Sequence, residues 1–210
     1  MRHNHWKAWK VISVALLLTG CASEGVVDVG YEPQKTQGTA LAAVSPTKVK
    51  CAHFTDVRPQ GVESILIGER FGLGKQPLGE VTSVRPVFDV VREAIQKMLS
   101  TAGDKVVEQG EDVVLSGEIR QFWVGTPKVT ALYWLIVGNV ELLVELKSAK
   151  TGKRIFTHTY AAEASRKTYS RLSDERMKGV IEQALGEVMQ AISSDEAFAH
   201  ALSAASSKAS

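Results

Sequence analysis

Cysteine is almost absent from this chain: Cys21 and Cys51 are the only two in 210 residues. That excludes a scaffold built on disulfides, which needs several bridges to stand in for a core. Long apolar runs are missing too. The greasiest stretch, Val11 to Leu18, is far shorter than the ~20 residues a bilayer-spanning helix requires. Charge of one sign is also lacking, with 25 basic against 23 acidic residues, so no basic stripe marks a nucleic-acid surface. His53, His158 and His200 form no pair at metal-ligand spacing, and no serine lies in a Gly-x-Ser-x-Gly elbow. Gly68 to Lys75 fails as a phosphate loop: five residues separate Gly68 and Gly74, and Gln76 follows the lysine. The chain is therefore expected to bind no metal or cofactor and to be no enzyme. No internal repeat is visible.

What is present begins at the N-terminus. Arg2, Lys7 and Lys10 give a positive start without any acid, and the apolar run leads into Leu18-Thr19-Gly20-Cys21. This is the pattern of a removable export signal. Its last four residues resemble the lipobox of bacterial lipoproteins. The resemblance implies that residues 1–20 are cut off and that Cys21 becomes the acylated first residue. Two or three chains on one residue anchor a protein for practical purposes permanently, whereas one gives only marginal binding. Ala22 and Ser23 lack the aspartate associated with inner-membrane retention, so the expected location is the outer membrane, facing the periplasm. Losing Arg2, Lys7 and Lys10 leaves 22 basic residues against 23 acids, a net charge near −1.

Residues 21–47 are expected to be the lipidated cysteine and a flexible tether, being rich in small and polar residues without sustained period. Residues 48–194 read as one α+β domain, and 195–210 as a short helical piece with a fraying tail. Within the domain, Val49 to Phe54 and Ser64 to Phe71 read as strands and Gly72 to Gly79 as a loop. Val87, Val91, Ala94, Ile95, Met98 and Leu99 predict a helix opened by Pro86 and closed by Gly103. Val113 to Val124 alternates as a strand, with Gly125 to Lys128 as its turn. A longer strand reaches Lys147, and Lys150 to Lys153 turns the chain into a partner from Arg154 to Ala164. Ser173 starts a second helix, with a stripe from Val180 through Ile181, Ala184, Leu185, Val188 and Met189 to Ile192. The expected fold is a two-layer sandwich: an antiparallel-rich sheet with two amphipathic helices on one face.

Signal, tether, strand, helix ending in Gly103-Asp104, two long strands, Lys-Thr-Gly-Lys hairpin and final helix together resemble the YajG-type family of small bacterial lipoproteins. The resemblance implies a small envelope lipoprotein of a mostly uncharacterised family, and the expected function is that of a non-catalytic binding or assembly module. Periplasmic auxiliary lipoproteins of lipid-transport systems share a comparable order of elements, which keeps an auxiliary-subunit role as the alternative.

Two surfaces are candidates for contact. Phe122, Trp123, Tyr133 and Trp134 flank one turn beside an apolar run that supplies both strand faces. They are either covered within the domain or dock an envelope protein or lipid. Arg166, Lys167 and Arg171, with Arg176 and Lys178, form a basic cluster. It is either merely solvated or contacts anionic headgroups or cell-wall polymer. Cys51 shares a strand face with Val49 and His53, and the expected role is a small buried hydrophobe.

Overall fold

The computed structural model describes residues 25–33, 39–59, 65–170 and 172–207. The expected signal, Cys21 and Arg171 lie outside them. The chain is α+β, with one open mixed sheet of eight strands and three helices. The strands are β1 (Gly25–Val27), β2 (Lys48–Asp56), β3 (Leu66–Phe71), β4 (Pro77–Ser83), β5 (Lys105–Val106), β6 (Val113–Val129), β7 (Trp134–Ser148) and β8 (Arg154–Thr168). The helices are α1 (Val87–Ala102), α2 (Asp174–Ser194) and α3 (Glu196–Ser207).

β6 organises the sheet. One of its edges pairs with β7 along almost its whole length, and β7 pairs in turn with β8, both antiparallel. The other edge is divided: β2 pairs in parallel with Val113 to Ile119, and β3 pairs in parallel with Val124 and Gly125. From β3 the sheet continues through β4 to β1, and from β2 to β5. Parallel pairings at β1–β4, β2–β5, β2–β6 and β3–β6 make the sheet mixed, where alternation alone pointed to antiparallel pairing. A period of two reports which face is buried, and it says nothing about the direction of a neighbour brought in by a crossover.

Along β7, Ile136, Val140, Leu142, Val144 and Leu146 are buried, and these residues meet α2 and the core. Gly138 lies in the same row, where a Cβ would sit 3.1 Å from Val180 Cγ1, so its missing side chain lets α2 approach β7 closely. α1 lies over β2 and β5 and touches α2. Every residue of the two predicted helical stripes is buried. Gly103 ends α1 at φ 103°, a left-handed conformation, while the amides of Gly103 and Asp104 donate to Ser100 and Leu99.

Three local readings are corrected. The stretch read as a tether contributes β1, and it buries Val27, Val29 and Leu41. Three residues are too short to show a period, and their partner β4 is distant in sequence. Gly72 to Gly79 is not wholly loop, since β4 begins at Pro77. The segment Gly125 to Lys128 is not a turn: β6 runs through it, with Thr126 and Pro127 together opposing Ile136 as a bulge. Pro127 has no N–H to give a ladder, and the bulge is where none is needed.

Candidate functional site

The aromatic residues grouped by the sequence are separated by strand alternation. Phe122 pairs with Val140 and is wholly buried, so it belongs to the core and offers no surface. Trp123 pairs with Asn139 on the opposite, open face. Trp134 is five residues before Asn139 on β7, an odd step that sends it to the helix side, beside Thr168. Its indole N–H is buried with no hydrogen-bond partner among the described residues. Trp123 edges a cleft of about 220 Å³ lined also by Arg58, Pro59, Arg120 and Gln121. That is below the roughly 300–1,000 Å³ of typical ligand pockets.

Tyr133 occupies the β6–β7 turn. The hydroxyl of Thr130 accepts the amides of Leu132 and Tyr133 and holds this turn. The Tyr133 and Tyr169 rings lie 6.1 Å apart, and Lys167 Nζ is 5.4 Å from the Tyr133 centroid, within cation–π range. Arg166 and Lys167 are exposed at the end of β8. The structure therefore brings Lys167 and Tyr133, drawn from the two separate candidate groups, to one place.

Cys51 and His53 lie on β2, apart from this group. Cys51 is half-buried and its thiol is pushed up to about 12, by burial first and then by Glu108, with Arg92 opposing. His53 packs its ring 4.7 Å from Phe88. No cluster of three metal-ligating side chains occurs among the described residues.

Two pairs were missed by sequence reasoning. Arg58 Nε and Nη2 donate to the Asp56 carboxylate at 2.8 and 2.7 Å, and Nη1 donates to the carbonyls of Leu66 and Phe122. Tyr160 donates its hydroxyl to Asp195 at 2.6 Å, and the other Asp195 oxygen accepts the amides of Ala197 and Phe198 at the start of α3. Burial opposes ionisation of Asp195, but these donors outweigh it and hold the carboxyl below its usual range. An Asp before a helix is a visible capping signal, whereas nothing local marks Tyr160 as its partner.

The family model of uncharacterised lipoproteins, Lipoprotein_16, matches residues 68–203, from β3 to α3. The chain belongs to this family. No curated protein matches it. Among solved structures, a Xanthomonas campestris protein of the DUF330 family aligns at TM-score 0.57 and 12% identity, over 85% of this chain and 96% of its own. At that identity the likeness shows the fold alone. A minor lipoprotein of Acinetobacter baumannii aligns at TM-score 0.41 and 10% identity, over 77% of this chain and 93% of its own. Lipoprotein GNA1162 of Neisseria meningitidis aligns at TM-score 0.39 and 13% identity, over 71% of this chain and all of its own. In this member of the Lipoprotein_16 family, no helix among the described residues is long and apolar enough to cross a membrane.

Proposed function

We propose that this lipoprotein is held at the outer membrane by acyl chains on Cys21, faces the periplasm, and works as a non-catalytic binding or assembly module. The observation that carries the reading is Leu18-Thr19-Gly20-Cys21 behind a short apolar run, in a chain belonging to a lipoprotein family. The non-catalytic part is supported by what the notable polar groups do: Asp56, Arg58, Tyr160 and Asp195 are committed to tying elements together. Cys51, raised to about 12, is a poor nucleophile. We read the architecture as two layers, because α1 and α2 touch each other while covering β2 and β7. The module's partner is an envelope protein or a lipid.

The anchor is tested by incorporation of radiolabelled palmitate and by processing in the presence of globomycin. Wild type incorporates label and accumulates as precursor under the inhibitor. A Cys21→Ala chain that matures normally and sediments with membranes as wild type does overturns the reading. Phospholipid copurifying with the protein, with no protein partner in crosslinked cells, turns the module towards an auxiliary lipid-transport role.

A further inference from the structure

We propose that the end of the sheet formed by the β3–β4 and β6–β7 turns is a membrane-facing surface that seats among the headgroups of an anionic phospholipid bilayer. This rests on the reading of Cys21 as the lipid-bearing residue, and it adds an orientation and a second contact.

The first observation is where exposed apolar side chains collect. Leu132 at 76%, Tyr169 at 74% and Leu73 at 65% are the three most exposed large hydrophobics among the described residues. All three lie at one end of the sheet. Leu132 is in the β6–β7 turn, and Tyr169 follows β8 where β8 ends opposite Trp134. Leu73 is in the β3–β4 turn, which is held beside the end of β6. There the Phe71 amide donates to Thr126 Oγ1 at 2.7 Å and the Thr126 hydroxyl donates to the Phe71 carbonyl at 3.1 Å.

The second observation is charge. The segments 71–78, 126–137 and 164–170 make up this end, and they contain Lys75, Lys128, Arg166 and Lys167 but no Asp or Glu. All four cations are exposed. Glu69 and Glu80 face each other further down β3 and β4, and at the start of α2 Asp174 pairs with Arg70 and Glu175 follows it. Exposed leucines on turn tips, tyrosines beside them and lysines around them suit a bilayer interface: the apolar tips enter, the aromatic rings sit at headgroup level and the cations meet lipid phosphates. Each lysine or arginine near an anionic leaflet contributes roughly fivefold in partition.

The third observation is the direction of the chain. β1 is parallel to β4, β4 is antiparallel to β3, and β3 is parallel to β6, so β1 runs antiparallel to β6. The N-terminal end of β1 therefore points to the end where β6 finishes. Gly25 lies in the row that contains Val81, Gly68 and Val124. Cys21 is four residues before Gly25, at most about 14 Å of chain. From Val124 to the end of β6 at Val129, opposite Gly138 to Trp134 across the bulge, is about 14 Å of strand. An anchor on Cys21 therefore reaches close to the level of these tips and falls well short of the opposite end.

The test uses the full protein with its acyl chains. It is reconstituted in vesicles of phosphatidylethanolamine and phosphatidylglycerol in a three-to-one mixture. Single spin labels are placed by Leu73→Cys, Leu132→Cys and Thr151→Cys in a Cys51→Ala background, the last in the exposed β7–β8 turn at the far end. Flotation is measured first, then collision of each label with oxygen and with a water-soluble nickel chelate. The expected result is flotation, a several-fold loss of nickel-chelate access at the Leu73 and Leu132 positions, and no loss at Thr151. Flotation with all three labels equally open to the chelate overturns the proposal and leaves the anchor standing. Failure to float overturns the anchor, and this proposal with it. Changing Lys75, Lys128 and Lys167 together to Gln is expected to restore chelate access in these vesicles. Burial of the tips that survives this change overturns the anionic part.

Discussion

Arg58 is the side chain whose loss the fold is expected to tolerate least. Its side chain is 3% exposed, and it reaches Asp56 on β2, the Leu66 carbonyl at the start of β3 and the Phe122 carbonyl on β6. It thus bolts together the two branches of the sheet that share one edge of β6. Replacing Arg58 with Ala removes two charge-assisted bonds to the carboxylate, each about 1.5–3 kcal/mol net, and leaves two carbonyls and a partly buried carboxylate without it. These terms are not additive, and breaking a buried pair from one side costs about 3–5 kcal/mol in all. The same loss is expected for Asp56→Ala, which leaves the guanidinium buried without its counter-ion. The double variant is expected to cost at least ~1.5 kcal/mol less than the sum of the two, because each single change strands the other's charge. Urea unfolding followed by far-UV circular dichroism measures this, with an unchanged m-value confirming that stability alone has moved. A loss below ~1 kcal/mol for Arg58→Ala, or strict additivity of the pair, refutes the reasoning.

Asp195 is expected to show a pH signature. Its folded carboxyl titrates below the usual range, so the stability it gives is present above ~3.9 and lost as pH falls through the lower folded value. Asp195→Ala, which removes a helix cap worth ~1 kcal/mol and the Tyr160 bond, is expected to cost about 2–4 kcal/mol at neutral pH and progressively less below pH ~4, read from melts across pH. Cys51, at about 12 against an ordinary 9.0, carries roughly a thousandfold less thiolate at pH 8 than a free cysteine. Iodoacetamide is therefore expected to modify it in the native protein far more slowly than in urea. Trp134→Ser is expected to destabilise by about 3 kcal/mol or more, because the side chain lies on the helix side of β7. Trp123→Ser, on the open face, is expected to leave the melting temperature nearly unchanged while weakening capture of an envelope partner in crosslinking. Equal thermal effects of the two changes contradict their placement on opposite faces.

The helices were legible because burial by one face repeats every three or four residues. Val87 to Leu99 and Val180 to Ile192 each carry that spacing long enough to be unmistakable, and every residue it names is buried, with Val90 on α1 and Met177 and Ser193 on α2 buried besides. The alternation of β7 was legible for the same reason. Strand partnership was not: nothing in the spacing of Val113 to Val129 says that one edge takes β7 while the other is shared by β2 and β3. Pro127 misled because its missing N–H argues for a turn, and only the ladder shows that Thr126 and Pro127 bulge against Ile136. The aromatic group looked like one surface because Trp123 and Trp134 are near in sequence, yet which face each takes depends on how residues count across the turn and the bulge. Of the basic cluster, Lys167 is exposed, and the Tyr133 ring beside it belongs to the other candidate group.

The placement of β1 changes what an anchor on Cys21 can do. A free tether of 26 residues would span ~30 Å as a flexible chain and would let the domain turn in any direction above the bilayer. With Gly25 hydrogen-bonded into the sheet and Val27 and Val29 buried, only the residues between Cys21 and Gly25 are left to serve as a leash. A leash of about 14 Å is comparable to half the width of a small domain, so it would keep the end of the sheet where Gly25 enters near the attachment and the opposite end away from it. With acyl chains on Cys21 as proposed, orientation would follow from strand pairing, and the opposite end would face away from the bilayer. That end holds the β7–β8 turn with Lys150 and Lys153, beside Glu111, Asp112 and the small residues of α3, around a cleft of about 620 Å³. A soluble envelope partner approaching from the periplasm would meet this mixed-charge end first, whereas a membrane-embedded partner would meet Leu73, Leu132 and Tyr169. Moving the anchor outward by a flexible insertion between Cys21 and Gly25 separates the two: it should free the tips from the bilayer while leaving the periplasmic end as accessible as before.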